Sequence, residues 1–422
     1  MSKSNRLKID AVLEQLSGLI RRVHKRADTQ DLFSPSALHA ARMILGTLPL
    51  LEDEADEFSE IVANIYELTT AKKEHISLEA TESLVQAAVV NGVDAVKTSR
   101  KSDFGRRLAS AIDDLKTGLS QRVSPWTVYR EVRGLAPDGL PFKVGRVEFV
   151  RADDSLSAAI RSSEVGNLFE PQAKGKIFGK VTVQAQDYNA ANLLALKQLR
   201  LAADVVNFFA DVLGGARQFM FLPGDGELTQ TTSFLFHESR LTHVSSASSG
   251  PIAPMYLSYI NEVRARRSGF DRASSLLCKE NRNALESRIL ASIQWAGRAA
   301  VDQRLEEAFL LFVIALESLL LRKDMFGELR FRFALYGSHL VVKTFKDRKP
   351  IFDDLTSAYD RRSQIVHSGS TQVAITELRR IHAYVRDAIL AVLLNPLFRE
   401  MDEDQFDNWL KDCTLGAAED ST

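Results

Sequence analysis

Cysteine is nearly missing: Cys278 and Cys413 are the only two among 422 residues. Two thiols so far apart in the chain supply neither a disulfide framework nor a set of zinc ligands, and they suit a reducing cytoplasm. An excess of one charge is missing too. The 54 Lys and Arg face 55 Asp and Glu, which excludes a chain held to nucleic acid over its whole surface and leaves only local contacts with polyanions. Long apolar runs are also absent. The longest, 308 to 321, contains Glu317 and falls short of the roughly 20 residues a membrane span requires. The first residues, Met1-Ser2-Lys3-Ser4-Asn5-Arg6, lead into an amphipathic helix rather than an apolar signal core. The expectation is a soluble, unsecreted, cytoplasmic protein without a membrane partner.

What is present is enough apolar content, 45%, to fill sizeable cores over a length that ordinary domain sizes divide into two or three. Residues 1–120 read as a helical domain: Leu13, Leu16, Leu19, Ile20 and Val23 recur at helical spacing, and further helices are expected at about 53–71, 77–97 and 103–118. Ser34-Pro35 has the form of an N-cap followed by proline. The pattern changes after Val123. Residues 126–132 and 142–150 are rich in β-branched and aromatic types and are expected to pair as a hairpin across Pro137-Asp138-Gly139. Ile177, Gly179, Val181, Val183 and Ala185 alternate with Phe178, Lys180, Thr182 and Gln184, the period of a half-buried strand. A helix from about 190 to 213 follows, and two short strands, 218–222 and 233–237, flank Pro223-Gly224-Asp225-Gly226. Residues 121–250 are therefore an α+β domain, and the Ser- and Gly-rich stretch 244–251 is expected to be the linker that ends it. Residues 251–422 are again helical, with a core over 283–412 and an acidic tail. The fold class is mainly α with an α+β middle segment and a C-terminal helical bundle.

The middle segment carries no recognisable chemistry. Lys174-Gly175-Lys176 and Gly224-Asp225-Gly226 lack the spacing of a phosphate loop, and His237 and His243 are six apart rather than the four that place two zinc ligands on one helix face. No metal and no cofactor are assigned. The informative stretch is 359–369, Tyr359-Asp360-Arg361-Arg362-Ser363-Gln364-Ile365-Val366-His367-Ser368-Gly369. Arg362 and His367 are separated on a helix by roughly 140° and about 7.5 Å of rise, within reach of a long guanidinium. A fixed cation with a planar donor fork and an imidazole that exchanges a proton near neutral pH suffice for phosphodiester cleavage without a metal. Taken alone, the pair reads first as an ordinary helix end on a wet surface, because Arg and His fall five apart by chance in many proteins.

The run 362–369, preceded by Tyr359, resembles the arginine-serine-x-aliphatic-valine-histidine-x-glycine signature of the Apea-like branch of the HEPN superfamily. A second block, 312–320, is similar to that family's upstream helix, an apolar run broken by one glutamate, Glu317. Ser363 follows the Apea-like branch, where many catalytic HEPN nucleases carry Asn, Asp or His. The resemblance covers residues 283 to 412 and implies a helical bundle, an RNA-directed endoribonuclease activity and a homodimer through the C-terminal domain. It further implies catalytic roles for Arg362 and His367, with Glu317, Ser363 and Tyr359 in support, and a prokaryotic toxin or antiviral setting with a regulatory partner protein. The alternatives are a non-catalytic module that binds RNA, a nucleotide or a protein, and a purely structural dimerisation bundle.

The apolar helix around Glu317 is expected to be covered on several sides, which demands a cation for that carboxylate; an arginine of the motif helix is the candidate. From 322 to 349 eight Lys or Arg face three acids, and Arg330, Arg332, Lys343 and Lys346 are the candidate RNA contacts. From 400 onward eight acids face one lysine, a run expected to be disordered and to screen the basic stretch.

Overall fold

The computed structural model describes residues 3–29, 43–45, 48–70, 75–93, 104–136, 139–152, 156, 175–212, 230–237, 240–248, 269–302, 304–322, 327–368 and 372–415. It is mainly helical with a four-stranded antiparallel sheet in the middle of the chain. Two compact units are present, Met1–Val128 with Thr182–Leu196, and Tyr129–Val181 with Lys197–Thr422.

In the first unit, α1 (Lys3–Thr29), α2 (Glu52–Thr70), α3 (Leu78–Val93) and α4 (Phe104–Leu119) share one core. The helical stripe of α1, Leu16, Leu19, Ile20 and Val23, is fully buried there against Phe58, Ile61, Ile65, Val85 and Val89. The acidic start of α2 is used: Glu54 accepts from the Leu51 amide and pairs with Arg26 at 2.6 Å, as suits a helix N-terminus. Two short strands, β1 (Met43–Leu45) and β2 (Leu48–Leu50), pair antiparallel inside the region expected to be helical. The Ser34-Pro35 cap and the expected strand at 218–222 lie outside the described residues.

The sheet is built from β3 (Ser124–Val132), β4 (Phe142–Val144), β5 (Val147–Arg151) and β6 (Ile177–Ala185), in the order β3-β6-β5-β4. The expected hairpin between 126–132 and 142–150 does not form. Gly145 at φ +58 turns the chain inside the second stretch, so β4 pairs with β5 and β3 pairs with β6. That positive φ favours glycine, and a Cβ there would also sit 2.7 Å from Leu277. Along β6 the alternation places Ile177, Gly179, Val181, Val183 and Ala185 on the buried side. The helix α5 (Tyr188–Val212) covers the sheet with Leu199, which rests on Gly179. β7 (Gln230–His237) and β8 (Arg240–Ser248) form a hairpin. Residues 244–248, expected as linker, are thus paired backbone; a ladder of N–H and C=O groups needs no apolar side chains.

The C-terminal helices are α6 (Phe270–Cys278), α7 (Ala284–Val301), α8 (Leu305–Leu320), α9 (Leu329–Val341), α10 (Phe345–Ser368), α11 (Ile375–Leu394) and α12 (Glu403–Thr414). Phe270 of α6 contacts Phe142 and Phe209, which ties the sheet and α5 to the bundle. α10 starts at Phe345, ahead of its proline. Thr344 and Asp347 cap it, and Pro350 removes only one early hydrogen bond on an exposed first turn and a half. The acidic run is not a disordered tail over 403–414. It forms α12, with Phe406, Leu410 and Cys413 buried and Asp407 turned inward to Arg288 at 2.9 Å. Arg288 also donates to the Leu319 carbonyl and so pins α12 to the end of α8.

α5 and α7 meet backbone to side: a Cβ on Gly297 would lie 2.0 Å from the Asp204 carbonyl oxygen. Gly297→Ala is therefore expected to force these helices apart at a cost of at least the ~1–3 kcal/mol typical of overpacking. A thermal midpoint several degrees lower checks this; an unchanged midpoint contradicts the contact.

Candidate functional site

α8 explains where the site lies. Between 308 and 321 its one charge is Glu317, and Phe312, Val313, Ala315, Leu316, Leu319 and Leu320 around it are buried. A carboxylate held among them requires a cation nearby. Arg362 of α10 supplies it, with a guanidinium nitrogen 3.6 Å from the Glu317 carboxylate. That distance makes an ion pair without a close hydrogen bond, and the Arg362 Nε is buried with no partner. Burial raises the Glu317 pKa, and the Arg362 charge opposes the rise. Tyr359, one turn before Arg362 and tilted against the ring of Phe333 at 5.4 Å, is pushed up by burial and then by the Glu317 charge.

Three consecutive residues tie α10 to three different helices. Asp360 pairs with Arg330 of α9, Arg361 with Glu377 of α11 at 3.3 Å, and Arg362 with Glu317 of α8. Successive helical positions point about 100° apart, so three neighbours leave a helix in three directions. The helix end beyond them is held differently. Arg348–His339, Phe352–Phe331 and Asp360–Arg330 run antiparallel along α9 and α10, so α9 begins beside residue 360. The last two turns of α10 continue beyond that start, and there Gln364, Val366 and His367 are exposed, Val366 by 52%.

Of the expected site residues, Arg362, Glu317 and Tyr359 come together. Arg330 joins them through Asp360. Ser363 is half-buried on the following turn. Among the described residues no hydrogen bond or ion pair joins Arg362 to His367. Arg332 is half-buried, where its charge acts on Tyr336. Lys346 in the first turn of α10 and Lys343 just before it are exposed at the end opposite His367, Lys346 about 32 Å from it at 1.5 Å per residue. Gly369 lies outside the described residues.

A cleft that the sequence analysis did not single out lies beside the motif. It is small, about 40 Å³, partly open to solvent, and lies over Phe309 and Ile381. Its α10 wall is Asp354, Ser357, Ala358 and Arg361, and its α11 wall is Glu377, Arg380, Ile381 and Tyr384. Both sets follow the i, i+3, i+4, i+7 spacing of one helix face, the signal that marks them. Asp354 bridges the walls by accepting from Arg380 at 2.8 Å and from the Tyr384 hydroxyl at 2.7 Å. Burial and that bond push the tyrosine up to about 12. Among the described residues no cluster of three or more His, Cys, Asp or Glu forms, and no helix is long and apolar enough to cross a membrane.

The raised pKa of Glu317 carries a pH signature. The folded chain keeps this proton above the ordinary value of 4.5, so the group's contribution to stability is complete below that value and is lost as pH rises through the folded one. Glu317→Gln abolishes the titration. The thermal midpoint of the variant, relative to wild type, is expected to rise between pH 4 and pH 7; a pH-independent difference contradicts a buried carboxylate.

No family model, no curated protein and no solved structure matches the chain.

Proposed function

We propose that residues 283–412 are an HEPN-type domain of the Apea-like kind and that the protein is a metal-independent endoribonuclease. One observation carries the reading: the motif arginine is tethered to Glu317, the one charge in the apolar half of α8 and itself half-buried, while the motif histidine stands exposed on the last turn of the arginine's own helix. His367 takes the proton of a ribose 2′-hydroxyl, whose oxygen attacks the adjacent phosphorus; the 5′-oxygen leaves and is protonated. Arg362 stabilises the charge that builds on the phosphorane. DNA lacks the nucleophile. Two copies supply one histidine as base and one as acid. Support for the dimer comes from α8, whose stripe of Leu310, Leu311 and Ile314 is only half-buried within one chain. The proposed setting is a prokaryotic cytoplasm, in a toxin-like or antiviral role under a regulatory partner. A second reading, a non-catalytic RNA-binding module, is favoured by the lack, among the described residues of a single chain, of a hydrogen bond or ion pair between Arg362 and His367.

Incubation with total RNA in EDTA separates the two. Wild type is expected to cleave. His367→Ala should lose about 10²–10⁴ in rate, the usual share of a general acid–base, and Arg362→Lys about 10², since an ammonium replaces a planar two-pronged donor. RNA cleavage that continues unchanged in His367→Ala rejects the catalytic assignment. Light scattering at micromolar concentration is expected to report a dimer; a monomer removes the composite site.

A further inference from the structure

The basic stretch from 322 to 349 is sorted by the structure into cations already in use and cations left over. Arg322 is held by Asp404 and Asp407, Arg330 by Asp360, and Lys349 by Asp353. Arg348 turns inward, with one guanidinium nitrogen on His339 at 3.0 Å and the other on the Lys343 carbonyl at 2.6 Å. Arg332 is half-buried. Lys323 lies outside the described residues; of the described cations Lys343 and Lys346 remain, both exposed, with no ion pair to any described residue. Between them stands Phe345, 76% exposed. The corner that presents these three side chains is fixed. Arg348 grips its carbonyl, and the Thr344 hydroxyl donates to Asp347 at 2.6 Å while accepting from the Asp347 amide. The one acid of the corner is thereby occupied in capping α10.

We infer that this α9–α10 corner binds single-stranded RNA, with one base stacked on Phe345 and the flanking phosphates on Lys343 and Lys346. An aromatic face between two unpaired ammonium groups matches the repeat of a single strand, in which every base offers a π face and every linkage a charge. A duplex hides its base faces and does not fit. A membrane surface fits less well, because one phenyl ring buries too little apolar area for stable anchoring. The inference rests on the proposed RNA-directed activity and adds a place to it. Phe345 and His367 occupy opposite ends of α10, about 33 Å apart at 1.5 Å per residue, so a strand held at the corner reaches the motif only if it is several nucleotides long.

The test is binding of a fluorescently labelled, single-stranded RNA of twenty nucleotides by the full chain carrying His367→Ala, which prevents turnover, across a range of salt. In that background Phe345→Ala is expected to weaken affinity by about 5- to 150-fold, the loss of one stacked base. Phe345→Tyr is expected to restore it, which excludes a folding defect as the cause. Lys343→Gln with Lys346→Gln should flatten the dependence of log K on log salt by about 1.4, the release expected for two single-strand phosphate contacts. RNA binding that is indifferent to Phe345→Ala overturns the corner while leaving the nuclease reading intact. No RNA binding at all overturns both. Affinity for anionic phospholipid vesicles that falls in Phe345→Ala, with RNA binding unchanged, assigns the corner to membranes instead.

Discussion

A single carboxylate organises the C-terminal bundle. Helix α8 is apolar on nearly every side, and the helices α7, α9, α10 and α11 pack around it. Burial makes Glu317 expensive to ionise, and Arg362 is the cation that offsets part of that cost. The pairing fixes which face of α10 turns toward α8, and the two preceding residues then have their directions set by helix geometry alone. Asp360 meets α9 and Arg361 meets α11. Replacing an ion pair of this kind by apolar residues is often neutral for stability. Its consequence here is orientation: the helix that carries the histidine has one rotation about its own axis.

The same geometry divides α10 into regions with different jobs. Its first turn is a fixed corner with free cations and an exposed phenyl ring. Its middle forms one wall of the cleft with α11, laced by Arg380, Tyr384 and Asp354. Its last turns run past the start of α9 and expose His367. In the proposed function these regions run from strand capture to bond cleavage along a single rod of 24 residues, and no loop has to supply the chemistry. A rigid element holds reactive groups more accurately than a loop does, which is the geometric requirement for metal-free catalysis.

Much of the fold was legible because local pattern and long-range packing agree. The alternation in β6 and the stripe of α1 each point to the face that is buried. The partner of Glu317 was legible by a different route, since a lone charge in an apolar helix leaves few solutions. Other features were hidden for physical reasons. The pairing of β3 with β6 depends on a glycine turn inside what reads as one strand, so proximity in sequence suggests the wrong neighbour. The acidic residues of α12 mask Phe406, Leu410 and Cys413, whose spacing of four and three is helical. Pro350 reads as a barrier to helix, yet it is tolerated near the start of α10, where few bonds depend on it. The ion pairs of the cleft and the sorting of the basic stretch depend on which acids other helices bring close. No count of charge along the chain contains that information.

In the proposed reaction α10 brings His367 to RNA, which is cut by attack of the RNA's own 2′-oxygen. Mass analysis of the ends produced from a defined RNA tests this most directly, beside the same sequence with 2′-deoxy sugars. The expected outcome is a 2′,3′-cyclic phosphate on one fragment, a 5′-hydroxyl on the other, and no cleavage of the deoxy strand. Fragments ending in 3′-hydroxyl and 5′-phosphate, or cutting of the deoxy strand, would contradict it.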